Sequence, residues 1–123
     1  MTPKSILPLL FSLFLPCMVQ AQSPTNFVFV RINESITPIE REGKYETPLD
    51  EALKKANLGE VTGGGSSLSA DRKIEWVGID VDLIDLDKGL AFLRQKLIEL
   101  GAPEGSTLEY KLNGKRIEVP VRN

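Results

Sequence analysis

The fold of this chain is decided by residues 74–83, which read Ile74-Glu75-Trp76-Val77-Gly78-Ile79-Asp80-Val81-Asp82-Leu83. From residue 77 onward, large apolar side chains occupy every second position, and glycine or aspartate occupies the positions between them. A period of two places alternate side chains on opposite faces of a strand. The stretch therefore predicts a β-strand with one face in the core and the other face open.

An amphipathic helix is predicted directly after this strand. Its apolar face is formed by leucines at spacings of three and four residues, namely Leu86, Leu90, Leu93, Leu97 and Leu100. Asp85 is suited to cap the first turn, and Asp87 lies where the helix dipole favours a carboxylate. Gly101 and Pro103 mark the end of the helix. We expect this strand and helix to form the centre of the hydrophobic core.

The residues before this unit predict a strand, a loop and a helix. Phe27–Ile32 is an aromatic and β-branched run typical of a strand. Asn33–Thr47 predicts an extended loop, because Pro38 would confine any strand there to an edge. Thr47 then resembles an N-cap, with Pro48 at the first helical position and Asp50 completing a capping-box pattern. This helix is expected to end between Asn57 and Gly59.

Further strands are predicted on both sides of the central unit. Glu60–Leu68 indicates a hairpin strand that is interrupted by glycines. Thr107–Leu112 and Lys115–Val121 are joined by Asn113-Gly114, the strongest short signal for a type I′ hairpin. Pro120 makes the last strand an edge, which leaves open a homodimer formed by pairing with a second copy.

The order of these elements is β-α-β-β-α-β with an extra C-terminal edge strand. This order predicts an α+β fold, the ferredoxin-like split βαβ sandwich, with two helices on one face of an antiparallel sheet. Right-handed crossovers would place the first strand and the 74–83 strand in the middle of the sheet.

The N-terminus resembles a secretory signal peptide. Lys4 precedes an apolar run, Ile6–Leu15, and Val19-Gln20-Ala21 has the small residues of a cleavage site. Cleavage there leaves residues 22–123 as a single domain that is exported, either periplasmic or secreted, with no remaining membrane span. Cys17 is not preceded by the small residues of a lipid-attachment site, which favours its removal with the signal.

Composition argues against several classes of function. The chain has 123 residues, a net charge of −2, one cysteine and no histidine. Without histidine, and with Cys17 lost with the signal, the Ser-His-Asp, Cys-His and histidine-zinc schemes are all excluded in the mature chain. No basic cluster larger than Lys115-Arg116 indicates a nucleic-acid surface. We expect a protein that is not an enzyme and needs no cofactor.

The open face of the central strand is the first candidate site. Trp76, Asp80 and Asp82 share that face by parity, and tryptophan is enriched at binding hot spots. These three residues predict a surface for a protein partner, as in a compact inhibitor or immunity-like binding module. Alternatively, the segment 33–47 folds over Trp76 and simply covers it.

A small-ligand or cation site is the alternative prediction. Gly63, Gly64, Gly65 and Ser66 could present backbone N–H groups to an anion, although no lysine or helix follows to complete a phosphate-binding loop. A β-bulge also explains glycines within a strand. Asp80–Asp87 is rich in carboxylates, but its spacing is not that of a calcium loop, and no metal ligands are assigned.

Three segments carry a resemblance to known sequences: Pro48–Leu53 (PLDEAL), Gly59–Gly65 (GEVTGGG) and Gly101–Ser106 (GAPEGS). Together they are similar to segments of a family of small bacterial proteins with no assigned activity. The resemblance implies a bacterial source and brings no catalytic residue, so the expected fold depends on the residue patterns alone.

Overall fold

The computed structural model describes residues 25–123, which form one sheet and one layer of helices. The five strands are β1 (Asn26–Ile32), β2 (Gly59–Leu68), β3 (Ile74–Leu83), β4 (Thr107–Leu112) and β5 (Lys115–Pro120). The helices are α1 (Pro38–Arg41), α2 (Thr47–Lys55) and α3 (Leu86–Glu99), with a π-helical turn at Glu42–Glu46 between the first two. The predicted signal peptide and its cleavage point lie outside the described residues.

The sheet is antiparallel and has the strand order β2-β3-β1-β4-β5. The first four strands in this order have the split βαβ connectivity, and β5 extends the sheet beyond β4. The predicted α+β class is therefore confirmed, together with the central position of β1 and β3. No helix within residues 25–123 is long and apolar enough to cross a membrane.

One hydrophobic core lies between the helices and one face of the sheet. Alternate residues of β1 and β3 supply most of the sheet side, and α2 and α3 supply the other side. The fully buried sheet and helix residues are Val28, Val30, Ile32, Val77, Ile79, Val81, Leu83, Leu108, Leu49, Leu53, Leu93 and Leu97. Because all of these strand residues share one face, the opposite face of the sheet is left without a helix among the described residues.

The predicted β3–α3 unit is confirmed by the structure. Val77, Ile79, Val81 and Leu83 are fully buried, as the period of two requires. The side chain of Asp85 accepts a hydrogen bond from the Lys88 backbone N–H (2.9 Å), which caps α3.

The prediction of an extended loop at Asn33–Thr47 is wrong. Thr37 and Glu40 form a complete capping box, so helical structure begins at Pro38, nine residues before α2. Tyr45, in the same segment, is buried in the core. Thr47 is itself helical and is not an N-cap, and Asp50 does not complete a capping box. Instead, Asp50 Oδ1 accepts a hydrogen bond from the Val61 backbone N–H (2.9 Å).

The π-helical turn explains how the helical path continues past Pro48. A regular helix needs a backbone N–H at each interior position, and proline has none. The turn places the hydrogen bond of the Thr47 N–H on the Glu42 carbonyl, five residues back, directly before the proline. Pro48 therefore lies inside a helical segment, although its position favours a helix start.

The glycine-rich strand β2 is continuous and contains a bulge. Val61 lies opposite Val81 and Gly63 opposite Asp80, so Thr62 is the extra residue. A second irregularity pairs Leu68 with Ile74 and Ser67 with Trp76, which leaves Glu75 as the extra residue of β3. This second bulge shifts Ile74 to the core side, away from the open face that its parity predicts.

The C-terminal hairpin has the predicted turn. Both central residues have positive φ, 54° at Asn113 and 78° at Gly114, as a type I′ turn requires. β5 is an edge strand, in agreement with the position of Pro120.

Candidate functional site

The open face of the sheet carries a cluster of two aromatic rings and one arginine. Phe29 and Trp76 meet edge to face, with ring centroids 6.1 Å apart and planes at 82°. The guanidinium of Arg31 lies 4.2 Å from the centroid of the Trp76 ring. We call Phe29, Arg31 and Trp76 the aromatic cluster. Its members come from adjacent central strands, so its backbone is held by the sheet.

Gly78 makes room for this cluster. It is the partner of Arg31 in the β1–β3 register, and a Cβ atom at residue 78 would lie 2.5 Å from Phe29 Cζ. The Phe29 ring therefore rests on the strand backbone. The alternative prediction was that residues 33–47 cover Trp76. The indole is flanked instead by Phe29 and Arg31.

Two carboxylates lie next to the aromatic cluster. Asp80 is paired with Phe29 and Asp82 with Phe27 across β1 and β3. Both aspartates are half-buried. Neither carboxylate has an ion pair or a side-chain hydrogen bond within residues 25–123. These acids are therefore free to pair with a group from outside the domain.

The structure brings the two predicted sites together on adjacent strands. In the β2–β3 register, Gly63 is opposite Asp80, Gly65 is opposite Gly78, and Ser67 is opposite Trp76. A hollow of about 230 Å³ lies between them, lined by Phe29, Gly64, Gly65, Ser66, Trp76, Gly78 and Asp80. The glycines contribute no side chains, which is why the floor of this hollow is backbone.

Gly64 differs from its neighbours because it faces the helices. A Cβ atom at residue 64 would lie 2.5 Å from Glu46 Oε2 and 3.1 Å from Arg41 Nε. Arg41 and Glu46 form an ion pair there, and Arg41 Nη1 also donates to the Ser66 hydroxyl (3.2 Å). Of the four predicted ligand-binding residues, Gly64 and Ser66 therefore have a neighbouring ion pair on the helix side.

Sequence reasoning missed the contribution of β1 to this face. Phe27 is 53% exposed, and a second hollow of about 450 Å³ extends from it toward Lys111 and Arg116. Phe27, Phe29 and Arg31 alternate with the buried Val28, Val30 and Ile32, so the same period of two that identified Trp76 could have identified them.

The largest pKa shift among the described residues is that of Tyr45, on the helix side of the sheet and away from the open face. Burial, followed by the hydrogen bond to Glu34, raises the pKa of the Tyr45 hydroxyl to about 12. Burial opposes ionisation of Glu34, but hydrogen bonds from Lys44 and Tyr45 outweigh it and lower the pKa of the Glu34 carboxyl. At neutral pH this pair is a phenol that donates to a carboxylate.

The aspartates of the alternative cation site are not gathered around a point. Asp80 and Asp82 lie on the open face of β3, whereas Asp85 caps α3 and Asp87 lies in its first turn. Within residues 25–123, no group of three or more His, Cys, Asp or Glu side chains is arranged to hold a metal ion.

Comparison with known proteins gives no match: no family model, curated protein or solved structure is similar to this chain. The resemblance carried by Pro48–Leu53, Gly59–Gly65 and Gly101–Ser106 therefore stays a prediction. The class defined by the fold is a ferredoxin-like α+β domain with an open sheet face.

Proposed function

We propose that this chain is an exported, non-enzymatic binding module whose protein partner docks on the open face of the sheet. The observation that carries the proposal is the aromatic cluster beside Asp80 and Asp82, two carboxylates that have no ion pair within the described residues. Tryptophan and arginine are the residue types that most often dominate binding free energy, and both are held here by central strands.

The surroundings of the aromatic cluster suit an interface. Interfaces combine an apolar centre with a polar rim. Phe27 and Phe29 extend the apolar surface along β1, and the ion pair between Arg116 Nη2 and Glu109 Oε1 (2.6 Å) lies at its side. A partner that covered this surface would bury Phe27 and bring its own polar groups to Asp80 and Asp82.

The proposal is tested by affinity capture from the envelope and extracellular fractions of the source organism, with the immobilised protein and identification by mass spectrometry. We expect a captured partner to be lost with Trp76→Ala and with Asp82→Lys. The first change removes the aromatic anchor, and the second reverses a charge on the same face.

Matched controls come from exposed residues outside the sheet. Ile39→Ala removes an apolar residue that is 82% exposed on α1, and Glu104→Lys makes the same charge reversal in the loop before β4. Both controls should retain the partner. A partner that survives Trp76→Ala and Asp82→Lys, or the capture of none, would count against the open face as its binding surface.

A small ligand is the second candidate, and the hollow beside Gly65 favours it. Phe29 and Trp76 form its apolar walls, and Asp80 and Ser66 supply its polar side chains. Ligand pockets combine such walls with a few polar groups. A metabolite and metal screen by thermal shift tests this candidate, since a ligand that binds only the folded state must raise the midpoint. The Trp76→Ala variant should lose any such shift.

A further inference from the structure

The outer edge of β2 is an unpaired strand edge in the part of the chain that the structure describes. β2 is the first strand in the sheet order, and β5, with Pro120, is the last. Natural proteins usually protect such edges with lysine, proline or covering segments, because a free edge can pair with another strand. Gly59–Leu68 contains no lysine, arginine or proline. Its protection consists of the bulge at Thr62, the hydrogen bond that the Val61 N–H donates to Asp50, and the hydrogen bond that Arg41 donates to the Ser66 hydroxyl.

The outward-facing backbone groups of β2 can be located from that hydrogen bond. The Val61 N–H points away from β3, since it donates to Asp50 Oδ1. Successive strand residues direct their backbone groups to alternate sides, and the bulge at Thr62 shifts the alternation by one residue. Gly64 and Ser66 are therefore the next residues whose N–H and C=O groups face outward. Neither has a backbone partner on that side within residues 25–123.

Two acidic hollows lie on the two sides of this edge. On the helix side, a hollow of about 360 Å³ is lined by Glu42, Glu46, Asp50 and Glu51 together with Val61–Gly63. Glu46 pairs with Arg41 and Asp50 with Lys54, but Glu42 and Glu51 have no ion pair among the described residues. On the open face, the hollow of about 230 Å³ beside Gly65 holds one carboxylate, that of Asp80.

An added strand would lie about 4.8 Å from β2 and would direct its side chains alternately to the two hollows. A basic side chain on the helix side would meet Glu42 and Glu51. A basic side chain on the open face could cross Gly63 and Gly65, which have no side chains to block it, and reach Asp80. The charge of both hollows is therefore complementary to lysine or arginine.

From these observations we infer that β2 accepts an extended, basic segment of a protein partner by strand addition, with backbone pairing at Gly64 and Ser66 and Lys or Arg side chains in the two acidic hollows. The inference rests on the proposed function, because the same partner would extend from this edge onto the open face. Backbone pairing would supply affinity, and the carboxylates would supply selectivity for basic sequences.

The test uses the isotope-labelled protein and the heptapeptide Thr-Lys-Lys-Val-Lys-Lys-Thr, whose adjacent lysines point to opposite faces of an added strand, followed by NMR chemical shifts and amide hydrogen exchange. We expect shifts and slowed exchange at the Gly64 and Ser66 amides, weakened by added salt. Two control peptides are matched to the probe: one has glutamate in place of each lysine, and one has N-methylated backbone amides on alternate residues. Neither control should bind.

Protein variants provide a second line of evidence. Ser66→Pro removes the outward N–H and should abolish binding of the lysine peptide, whereas Ser66→Ala removes only the hydroxyl and should retain binding. The double variant Glu42→Gln/Glu51→Gln should weaken binding about fivefold, because exposed ion pairs are individually weak. The peptide controls keep the test decisive even if Ser66→Pro does not fold.

The outcomes separate this inference from the proposed function. Shifts at Phe29 and Trp76 without protection of Gly64 and Ser66 would support the open face and overturn strand addition. No response to the lysine peptide at millimolar concentration would also overturn strand addition, whatever the capture experiment shows. If the Gly64 and Ser66 amides become protected from exchange when the protein is concentrated without peptide, a second copy of this chain occupies the edge. That result would overturn the inference of a basic partner segment.

Discussion

The ring of Phe29 rests on the backbone of Gly78, so that a Cβ atom at residue 78 would lie 2.5 Å from Phe29 Cζ and 2.6 Å from Cε1. Gly78→Ala should therefore displace the ring and lower the free energy of unfolding by about 1–3 kcal/mol, the usual cost of overpacking. Urea unfolding measures the loss. The fluorescence of Trp76, the single tryptophan, reports the disturbed edge-to-face contact in the same experiment.

Gly65→Ala is the matched control for this prediction. Gly65 is the cross-strand partner of Gly78, and a Cβ atom there would have no heavy atom within 4 Å. It should change stability and fluorescence little. The double variant Phe29→Leu/Gly78→Ala should recover part of the loss caused by Gly78→Ala. Equal effects of the two alanine substitutions would show that the Phe29 contact is not the cause.

The start of the first helical segment gives a second prediction. Thr37→Ala removes a side chain that accepts the Glu40 N–H (3.2 Å), and it should lower the free energy of unfolding by about 1 kcal/mol. Thr47→Ala should cost less, since Thr47 is inside the helical path and alanine has the higher helix propensity. Thermal unfolding of both variants measures the difference. A larger loss for Thr47→Ala would restore Thr47 as the N-cap.

These two threonines show where sequence reasoning reached its limit. Thr37-Pro38 and Thr47-Pro48 are each followed by a carboxylate at the right spacing, so both resemble helix starts. Only the π-helical turn at Glu42–Glu46 lets one helical path pass through the second proline, and no local pattern identified that turn. The strand and helix at residues 77–99, by contrast, were predictable, because their apolar periods are long and regular.

The candidate site was predicted in parts. Trp76, Asp80 and Asp82 followed from parity along a single strand, and Gly63–Ser66 followed from composition. Their proximity depends on the β2–β3 register and on a bulge at Thr62, which only the paired strands determine. The contact between Phe29 and Gly78 likewise depends on the β1–β3 register.

Gly89 in α3 offers a third prediction, in which two effects compete. Glycine to alanine in a helix ordinarily stabilises by about 1 kcal/mol. Here, however, a Cβ atom at residue 89 would lie 2.6 Å from Leu83 Cδ1, and Leu83 is fully buried and cannot easily move. We expect the steric effect to prevail, so that Gly89→Ala lowers the midpoint of thermal unfolding.

Gly43→Ala is the control for the helical effect alone. Gly43 is in the π-helical turn, and a Cβ atom there would meet nothing within 4 Å. This substitution should raise the midpoint or leave it unchanged. A stabilising Gly89→Ala would mean that Leu83 and α3 can separate without loss, against the packing described above.

Tyr45 and Glu34 give a prediction about pH. The Tyr45 pKa is raised from 10.0 to about 12 by burial and by the bond to Glu34. A raised pKa contributes stability that is present below pH 10 and lost as the pH rises toward 12. Glu34 acts in the opposite direction: its pKa is lowered, so its contribution is present above 4.5 and is lost as the pH falls through the lowered value.

Tyr45→Phe isolates this pair. Removing a buried hydroxyl that donates to a carboxylate should cost about 1.5–3 kcal/mol at neutral pH. The difference in unfolding free energy between wild type and variant should shrink between pH 10 and 12, because the stability from the raised Tyr45 pKa is lost there. It should shrink again below pH 4.5, because Glu34 in the variant lacks one of the hydrogen bonds that lower its pKa. Urea unfolding across that pH range measures this difference.

Tyr110→Phe serves as the control, because the Tyr110 hydroxyl makes no hydrogen bond within residues 25–123. A difference for Tyr45→Phe that stays constant from pH 4 to 12 would contradict the coupling of these two residues to folding.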